Sequence, residues 1–359
     1  MYNQTLFQAR GINMGITMNE IADMCGVSRG TVDRVLNKRG GVKSDTAQRI
    51  LAAAESLGYT RKTLAASMPV SASVQYRIGL LINATGHPYF TDIMAGMLTA
   101  LENLLSQNIT GIVKMSHGFD VEQQLRQLDE MLQQNVDAVA LTPANDPRIA
   151  DKLREFTSRN IPVVIVSALL DNFDYFSFIG CNHYLSGRIA AGLVKQILSP
   201  GSKIAIMTST RKMAGVSRRV TGFTDVLQAA KQNYQILPPV ECFDDDAIAY
   251  KTVSSLSQKN HDIDLFFFAA GGYSGAYQAL EDTGLLGKCK IIAFDTSEPN
   301  VFHLTHGNVA ALLNQHPTEQ GRQAIQQIAD YLLKRSVPSS KETYMPVEIL
   351  VDESFTNTV

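Results

Sequence analysis

From Arg77 onward, short apolar runs alternate with amphipathic segments. The runs are RIGLLIN, GIVKMSH, DAVALTP, PVVIVSA, SFIGC, KIAIMTS, DLFFFAA and KIIAFD, with helical patterns between them at 90–107, 120–134, 147–160 and 184–198. A continuous run of this length suits a strand buried on both faces, and an amphipathic segment suits the helix that covers it. The alternation predicts parallel, doubly wound α/β sheets, and eight or more strands predict two such lobes. Ahead of Arg77 the rhythm is helical. Residues 16–59 predict three short helices. Asn19 caps the first, with Ile21, Ala22 and Met24 on its inner side. Cys25-Gly26-Val27 forms a tight turn, and Ser28 caps a second helix to about Leu36. Ser44 opens a third, whose apolar set is Ala47, Ile50, Leu51, Ala54 and Leu57, and Gly58 ends it. Residues 1–15 carry no pattern, and 60–76 read as a linker.

The chain has 359 residues, 45% hydrophobic and 18% charged, which fits two or three globular domains. The net charge of −2 hides an asymmetry: residues 16–62 hold eight Lys/Arg against five Asp/Glu, while 63–359 hold 23 basic against 29 acidic residues. A small basic head therefore precedes an acidic body, and only the head suits a polyanion. The cysteines, Cys25, Cys181, Cys242 and Cys289, lie far apart without a CxxC. Reduced, buried thiols in the cytoplasm are expected. No signal peptide or membrane span is read. A P-loop, a GxGxxG at a first strand, a nucleophile elbow and a metal cluster are all missing, so neither cofactor nor enzymatic activity is expected.

In the head, a glycine-containing turn sets the second helix against the first. Val32, Val35 and Leu36 face inward, and Ser28, Arg29, Gly30, Asp33 and Arg34 stay on the open side. Arg29 and Arg34 suit guanine edges or phosphates, Thr31 and Asn37 suit phosphates, and Gly30 permits close approach to a groove floor. The same pattern also fits a small helical bundle with two solvated arginines. The longer segment MNEIADMCGVSRGTVDRVLNKRGGVKSDTAQRILAAAESLGY resembles the DNA-binding domain of the lactose-repressor family. It matches at Ile21, Ala22, Gly26–Ser28, Thr31, Val32, Arg34–Asn37, Val42, Thr46, Arg49, Ala53, Gly58 and Tyr59. The resemblance implies double-stranded operator DNA as partner and a homodimer or higher assembly. Asp33 departs from the family's serine, and a carboxylate there can accept from a cytosine amino group. The linker departs too: the family's hinge helix with its minor-groove leucine aligns with Arg61, Lys62, Ala65, Ala66 and Met68. Met68 could wedge between base steps, or the segment is a flexible tether.

The body resembles the periplasmic-binding-protein-like (type I) effector domain of the same family, nearest its ribose-binding branch. This implies two lobes joined by three crossovers, with ligand outside the carboxyl ends of the strands. The expected division is a head over 16–59, a linker over 60–76, a body over 77–352 and a tail over 353–359. Within the body the N-lobe takes 77–199 and 313–341, and the C-lobe takes 200–312 and 342–352. Gly86-His87-Pro88-Tyr89-Phe90 resembles the family's aromatic turn, in which the polar residue before proline, here His87, bonds a ligand hydroxyl. Tyr89 and Phe90 either flank a ring or start a helix core. Arg219 stands at the family's ligand-binding arginine, or else forms a surface salt bridge. Asp295 would accept hydroxyl protons or cap a helix, and Gln315 matches the crossover glutamine. Ser167, Asn182, Gly271 and Gly272 occupy positions where the family often carries ligand-binding side chains, several of them carboxylates. The pocket is therefore expected to be less acidic than a usual sugar site. A methylated or deoxy sugar, a cyclitol, or an anion facing Arg219 and the Gly271–Gly272 amides would suit it, though the glycines could merely relieve a turn. These readings predict a ligand-responsive transcription regulator, a repressor of carbohydrate or cyclitol catabolic genes. The alternative is the solute-binding receptor of a sugar transporter.

Overall fold

The computed structural model describes residues 22, 24–36, 42–43, 46–47, 49–51, 53, 75–83, 87–116, 118, 120–210 and 213–355. The chain divides into two compact units, Met1–Ala72 and Ser73–Val359. The expectations for residues 1–15, Asn19, Asn37 and the linker residues Arg61, Lys62, Ala65, Ala66 and Met68 lie outside the described residues.

In the head, helical residues 22, 24 and 25 lead into a turn at Gly26 with φ of +63°. Helix α1 (Arg29–Leu36) follows, opened by Ser28, whose Oγ accepts the Thr31 amide at 3.2 Å. Ala22, Cys25, Val32, Ile50 and Ala53 form the buried core, with Val27, Val35 and Leu36 packed on it. Arg49 pins the turn, because its Nη2 donates to the Cys25 carbonyl at 2.9 Å. Two inward assignments are corrected. Met24 and Leu51 are 61% and 51% exposed. Ala22 and Cys25, three apart, take the inner face, and Ile50 and Ala53 do the same on the third segment.

The body holds two sheets. The N-lobe sheet runs β12 (Glu342–Met345), β5 (Ser177–Cys181), β4 (Val163–Val166), β3 (Ala138–Leu141), β1 (Tyr76–Asn83), β2 (Ile109–Ser116), and every pair is parallel. The C-lobe sheet runs β13 (Glu348–Leu350), β11 (Ala311–Asn314), β10 (Lys290–Phe294), β9 (Leu265–Phe268), β6 (Lys203–Thr208), β7 (Gln235–Ile236), with β8 (Val240–Glu241) also on β6. Only β13 is antiparallel to its neighbour. Each sheet is buried on both faces. Ile78, Leu80 and Ile82 of β1 enter one cluster and Leu81 the other. Phe266 and Phe268 of β9 part from Phe267 in the same way.

The helices are α2 (Pro88–Glu102), α3 (Val121–Gln133), α4 (Pro147–Ser158), α5 (His183–Ile197), α6 (Ala214–Gln228), α7 (Asp246–Lys259), α8 (Tyr273–Asp282), α9 (Glu298–Thr305) and α10 (Pro317–Lys334). Their packing corrects the lobe boundaries. Ala190, Ala191 and Val194 of α5 are buried with the C-lobe sheet, so the first crossover falls between β5 and α5, near 182 rather than 199. Strand β11 belongs to the C-lobe while α10 packs in the N-lobe, which puts the second at Gln315–His316. Strand β12 extends the N-lobe sheet, so the third falls at 346–347 rather than 341. The expected tail begins as a 3-10 turn, Asp352–Ser354, beside α9.

Candidate functional site

In both lobes the strand order reverses beside the first strand, at β1/β3 and at β6/β9. Chains that diverge there leave a crevice outside the carboxyl ends of the strands. The two crevices share one cleft of about 830 Å³. His87, Tyr89 and Phe90 reach it from the segment after β1, Ser167 from β4, and His183 from β5. From the C-lobe come Arg219 after β6, Asp244 after β8, Gly271 and Tyr273 after β9, and Asp295 after β10. Gln315 stands on the second crossover.

Arg219 is the centre of the cleft floor. It is only 5% exposed, and its Cζ lies over Phe294, 3.6 Å from the ring centroid. Its Nη1 donates to the Ala269 carbonyl at 2.6 Å, and its Nη2 to Gln315 Oε1 at 2.7 Å and His183 Nδ1 at 3.4 Å. Gln315 Nε2 donates in turn to Asp295 Oδ1 at 2.8 Å. Burial raises the Asp295 carboxyl above its ordinary range, and the nearby Arg219 charge and the Gln315 bond oppose that rise. The network closes on itself through both lobes. His183 Nε2 bonds the Ser167 carbonyl at 3.2 Å, and Ser167 Oγ bonds the Tyr89 hydroxyl at 2.8 Å. Gln320 Nε2 donates to that hydroxyl at 3.0 Å and to the Gln315 carbonyl at 2.8 Å. Arg219, His183, Ser167, Tyr89, Gln320 and Gln315 thus form a ring that passes through two crossovers.

Burial, and then the Arg219 charge, push the His183 pKa down to about 4. The ring is therefore neutral: Nε2 donates and Nδ1 accepts. The unfolded histidine takes up a proton near pH 6.5, but the folded one refuses it until about pH 4. The contribution of His183 to stability is complete above pH 6.5 and falls away as the pH drops toward 4. His183→Gln should flatten this acid limb in thermal melts between those values. An acid limb as steep as that of the natural protein would contradict the assignment.

Eight of the ten expected cleft residues line the cleft. Asn182 and Gly272 do not. Asn182 is exposed and caps α5, accepting the Leu185 amide at 3.0 Å. Gly272 takes φ of +83° at the start of α8, and a Cβ there would meet that of Ala249 at 2.8 Å. The expected loss of acidity is also corrected, because Asp244 brings a carboxylate from the loop after β8. Asp244 accepts from the Gly271 amide at 2.8 Å and from Ser209 Oγ at 2.6 Å. That amide is therefore engaged with Asp244 instead of waiting for an anion. Sequence reasoning missed His183, Ser209, Asp244 and Tyr273. The FDDD run after β8 was the available signal, but a two-residue strand leaves no pattern to place it.

In the head, Ser28, Arg29, Gly30 and Arg34 are exposed, and Thr31 and Asp33 are half-buried. The Thr31 hydroxyl bonds Ser28 Oγ at 2.9 Å, so it serves the helix start as well as the open face. Among the described residues, no helix is long and apolar enough to cross a membrane.

The two doubly wound lobes and their shared cleft define a two-lobed binding protein of the periplasmic type, here carrying a helix-turn-helix head. Residues 78–336 match the periplasmic binding protein domain, and residues 17–62 match the lacI family of bacterial regulatory proteins. The chain belongs to the lacI family, and is a DNA-binding transcription regulator with an effector-binding body rather than an enzyme. It is 27% identical to the ribose operon repressor of Haemophilus influenzae, covering 75% of this chain and 78% of that one. It is 25% identical to the transcriptional repressor PurR of the same species, covering 86% and 89%. The body matches the solved fold of a glucose-galactose binding protein from Geobacillus stearothermophilus with a TM-score of 0.71 at 21% identity, over 78% of this chain and 98% of that one.

Proposed function

We propose that the protein is a cytoplasmic, homodimeric repressor of carbohydrate or cyclitol catabolic genes, and that a neutral polyol bound between its lobes shifts operator affinity. The state of Arg219 carries this reading. Its guanidinium is already held by Ala269, Gln315 and His183, with Asp295 one bond away. Asp244 adds a second carboxylate. An anion would meet Asp244 and Asp295, with Asp146, Asp245 and Asp246 also on the lining, against one engaged cation, whereas hydroxyl groups can donate to Asp244 and Asp295 while their ring carbons pack on Tyr89, Phe90 and Tyr273. Repressors among the relatives support the direction of control.

The test is a gel shift on DNA upstream of neighbouring genes, with and without candidate polyols. A bound polyol at 100 times its dissociation constant should also raise stability by ~2.7 kcal/mol. The exposed Arg34 is expected to read DNA, so Arg34→Ala should weaken operator binding about tenfold or more, since one base contact is worth roughly 1–3 kcal/mol. The thermal melt should not move. Undiminished operator affinity in that variant would remove Arg34 from the reading face.

A further inference from the structure

One pair of cleft groups lies outside the hydrogen-bonded ring. His87 stands on the N-lobe just before α2, and Asp244 stands on the C-lobe loop after β8. Gly271 lies against both. A Cβ built on it would sit 2.7 Å from His87 Nε2 and 3.1 Å from Asp244 Oδ1. The two atoms therefore lie no farther apart than about two hydrogen-bond lengths laid end to end. All three residues line the cleft.

Their characters are opposite. His87 Nδ1 accepts the Tyr89 amide at 3.3 Å, which leaves Nε2 as the N–H donor of the ring. Asp244 only accepts. The Gly271 amide holds its Oδ1 and Ser209 its Oδ2, so the carboxylate is fixed in place, and each oxygen keeps a second lone pair. Phe243 and Asp244 both take positive φ, 55° and 57°, which turns this loop at the end of β8.

We propose that His87 and Asp244 form a two-sided clamp that selects the effector by one unsubstituted hydroxyl. A hydroxyl is the group that accepts from His87 Nε2 and donates to Asp244 Oδ1 at once. An ammonium group can only donate, a carboxylate can only accept, and a deoxy carbon can do neither. An O-methyl group can accept but cannot donate, and it adds bulk. The inference rests on the reading of the cleft as a polyol site and narrows it. The effector is a neutral sugar or cyclitol with a free hydroxyl at this end, and its deoxy and O-methyl forms at that carbon are rejected. Because one hydroxyl touches both lobes, the clamp ties ligand identity to lobe closure. Gly271 is the residue that leaves room for it.

The test uses the full chain and titration calorimetry with D-ribose, D-allose, D-galactose and myo-inositol, then the monodeoxy and mono-O-methyl derivatives of whichever binds. One derivative position should lose about 100-fold or more, as sites built around a hydroxyl reject analogues lacking it. His87→Phe keeps a ring without the donor, and Asp244→Ala removes the acceptor. Each should weaken the parent compound and erase its advantage over that one derivative, and their combined loss should be smaller than additive. Asp244→Asn keeps an acceptor oxygen and should restore part of the affinity, an effect that simple misfolding would not give. A polyol that binds with additive losses, or with the same derivative preference in His87→Phe, overturns the clamp alone. Binding of none of these compounds by a chain that still binds its operator overturns the clamp together with the polyol reading.

Discussion

Arg219→Ala is expected to abolish effector recognition and to lower the melting temperature by about 10 °C. The guanidinium is nearly sealed from solvent and makes bonds to Ala269, Gln315 and His183 while lying over Phe294. Removing it leaves Asp295, 7% exposed, with Gln315 as its remaining side-chain partner. Breaking one side of such a buried charge arrangement costs about 3–5 kcal/mol, or several degrees of melting temperature for each two. Asp295 has an escape that softens the loss. Its carboxyl is already raised by burial, and without Arg219 it will hold a proton at higher pH still. The variant should therefore be least destabilised in acid. Lysine should not rescue recognition, because an ammonium on a flexible stem cannot reach three acceptors in one plane. Thermal melts across pH and calorimetry with the identified polyol measure both effects. Affinity within about threefold of the natural protein would show that the ring does not hold the site, since the loss argued here corresponds to 100-fold or more.

Much of this site was legible because it hangs on strand ends. KIIAFD and DLFFFAA are long enough and apolar enough to be placed as buried strands, and Asp295 and Gly271 follow directly from where they stop. Arg219 was legible through resemblance more than through pattern. An arginine on an amphipathic helix looks the same whether it is buried or solvated, and here burial comes from Phe294, two strands away in the fold. The crossovers were not legible. The face of α5 built from Ala190, Ala191 and Val194 is equally suited to either sheet, and only tertiary packing assigns it to the C-lobe. Strand β12, ETYM, alternates only exposed and half-buried positions, too weakly to declare its sheet. His183 was missed for a related reason. It follows Cys181-Asn182 at a lobe boundary that the sequence placed some 17 residues too late, so nothing marked it as facing both lobes.

The same misplaced boundary hides the second large effect. Gly187→Ala is expected to be strongly destabilising although the residue touches neither cleft nor solvent-facing partner. Helices α5 and α6 approach backbone to backbone. A Cβ on Gly187 would lie 1.9 Å from the Arg219 carbonyl oxygen and 2.9 Å from the Phe223 amide nitrogen. Gly222 answers from the other side, where a Cβ would lie 2.1 Å from the Tyr184 carbonyl oxygen. Those atoms are main chain and cannot swing aside as a side chain would, so the helices must part. Parting them loosens Ala190, Ala191, Val194, Phe223 and Leu227, and overpacking of this kind typically costs about 1–3 kcal/mol or more. It also moves the two ring members that these helices carry, His183 at the start of α5 and Arg219 within α6. Effector affinity should therefore fall together with melting temperature, without any change to a cleft side chain. Gly192 supplies the control on the same helix. Nothing lies within 4 Å of a Cβ there, so Gly192→Ala should stabilise by about 0.5–1 kcal/mol through helix propensity alone. Opposite signs for the two alanines, read from paired thermal melts, follow from close helix contact. Equal effects would mean that α5 does not need the glycine to seat on α6.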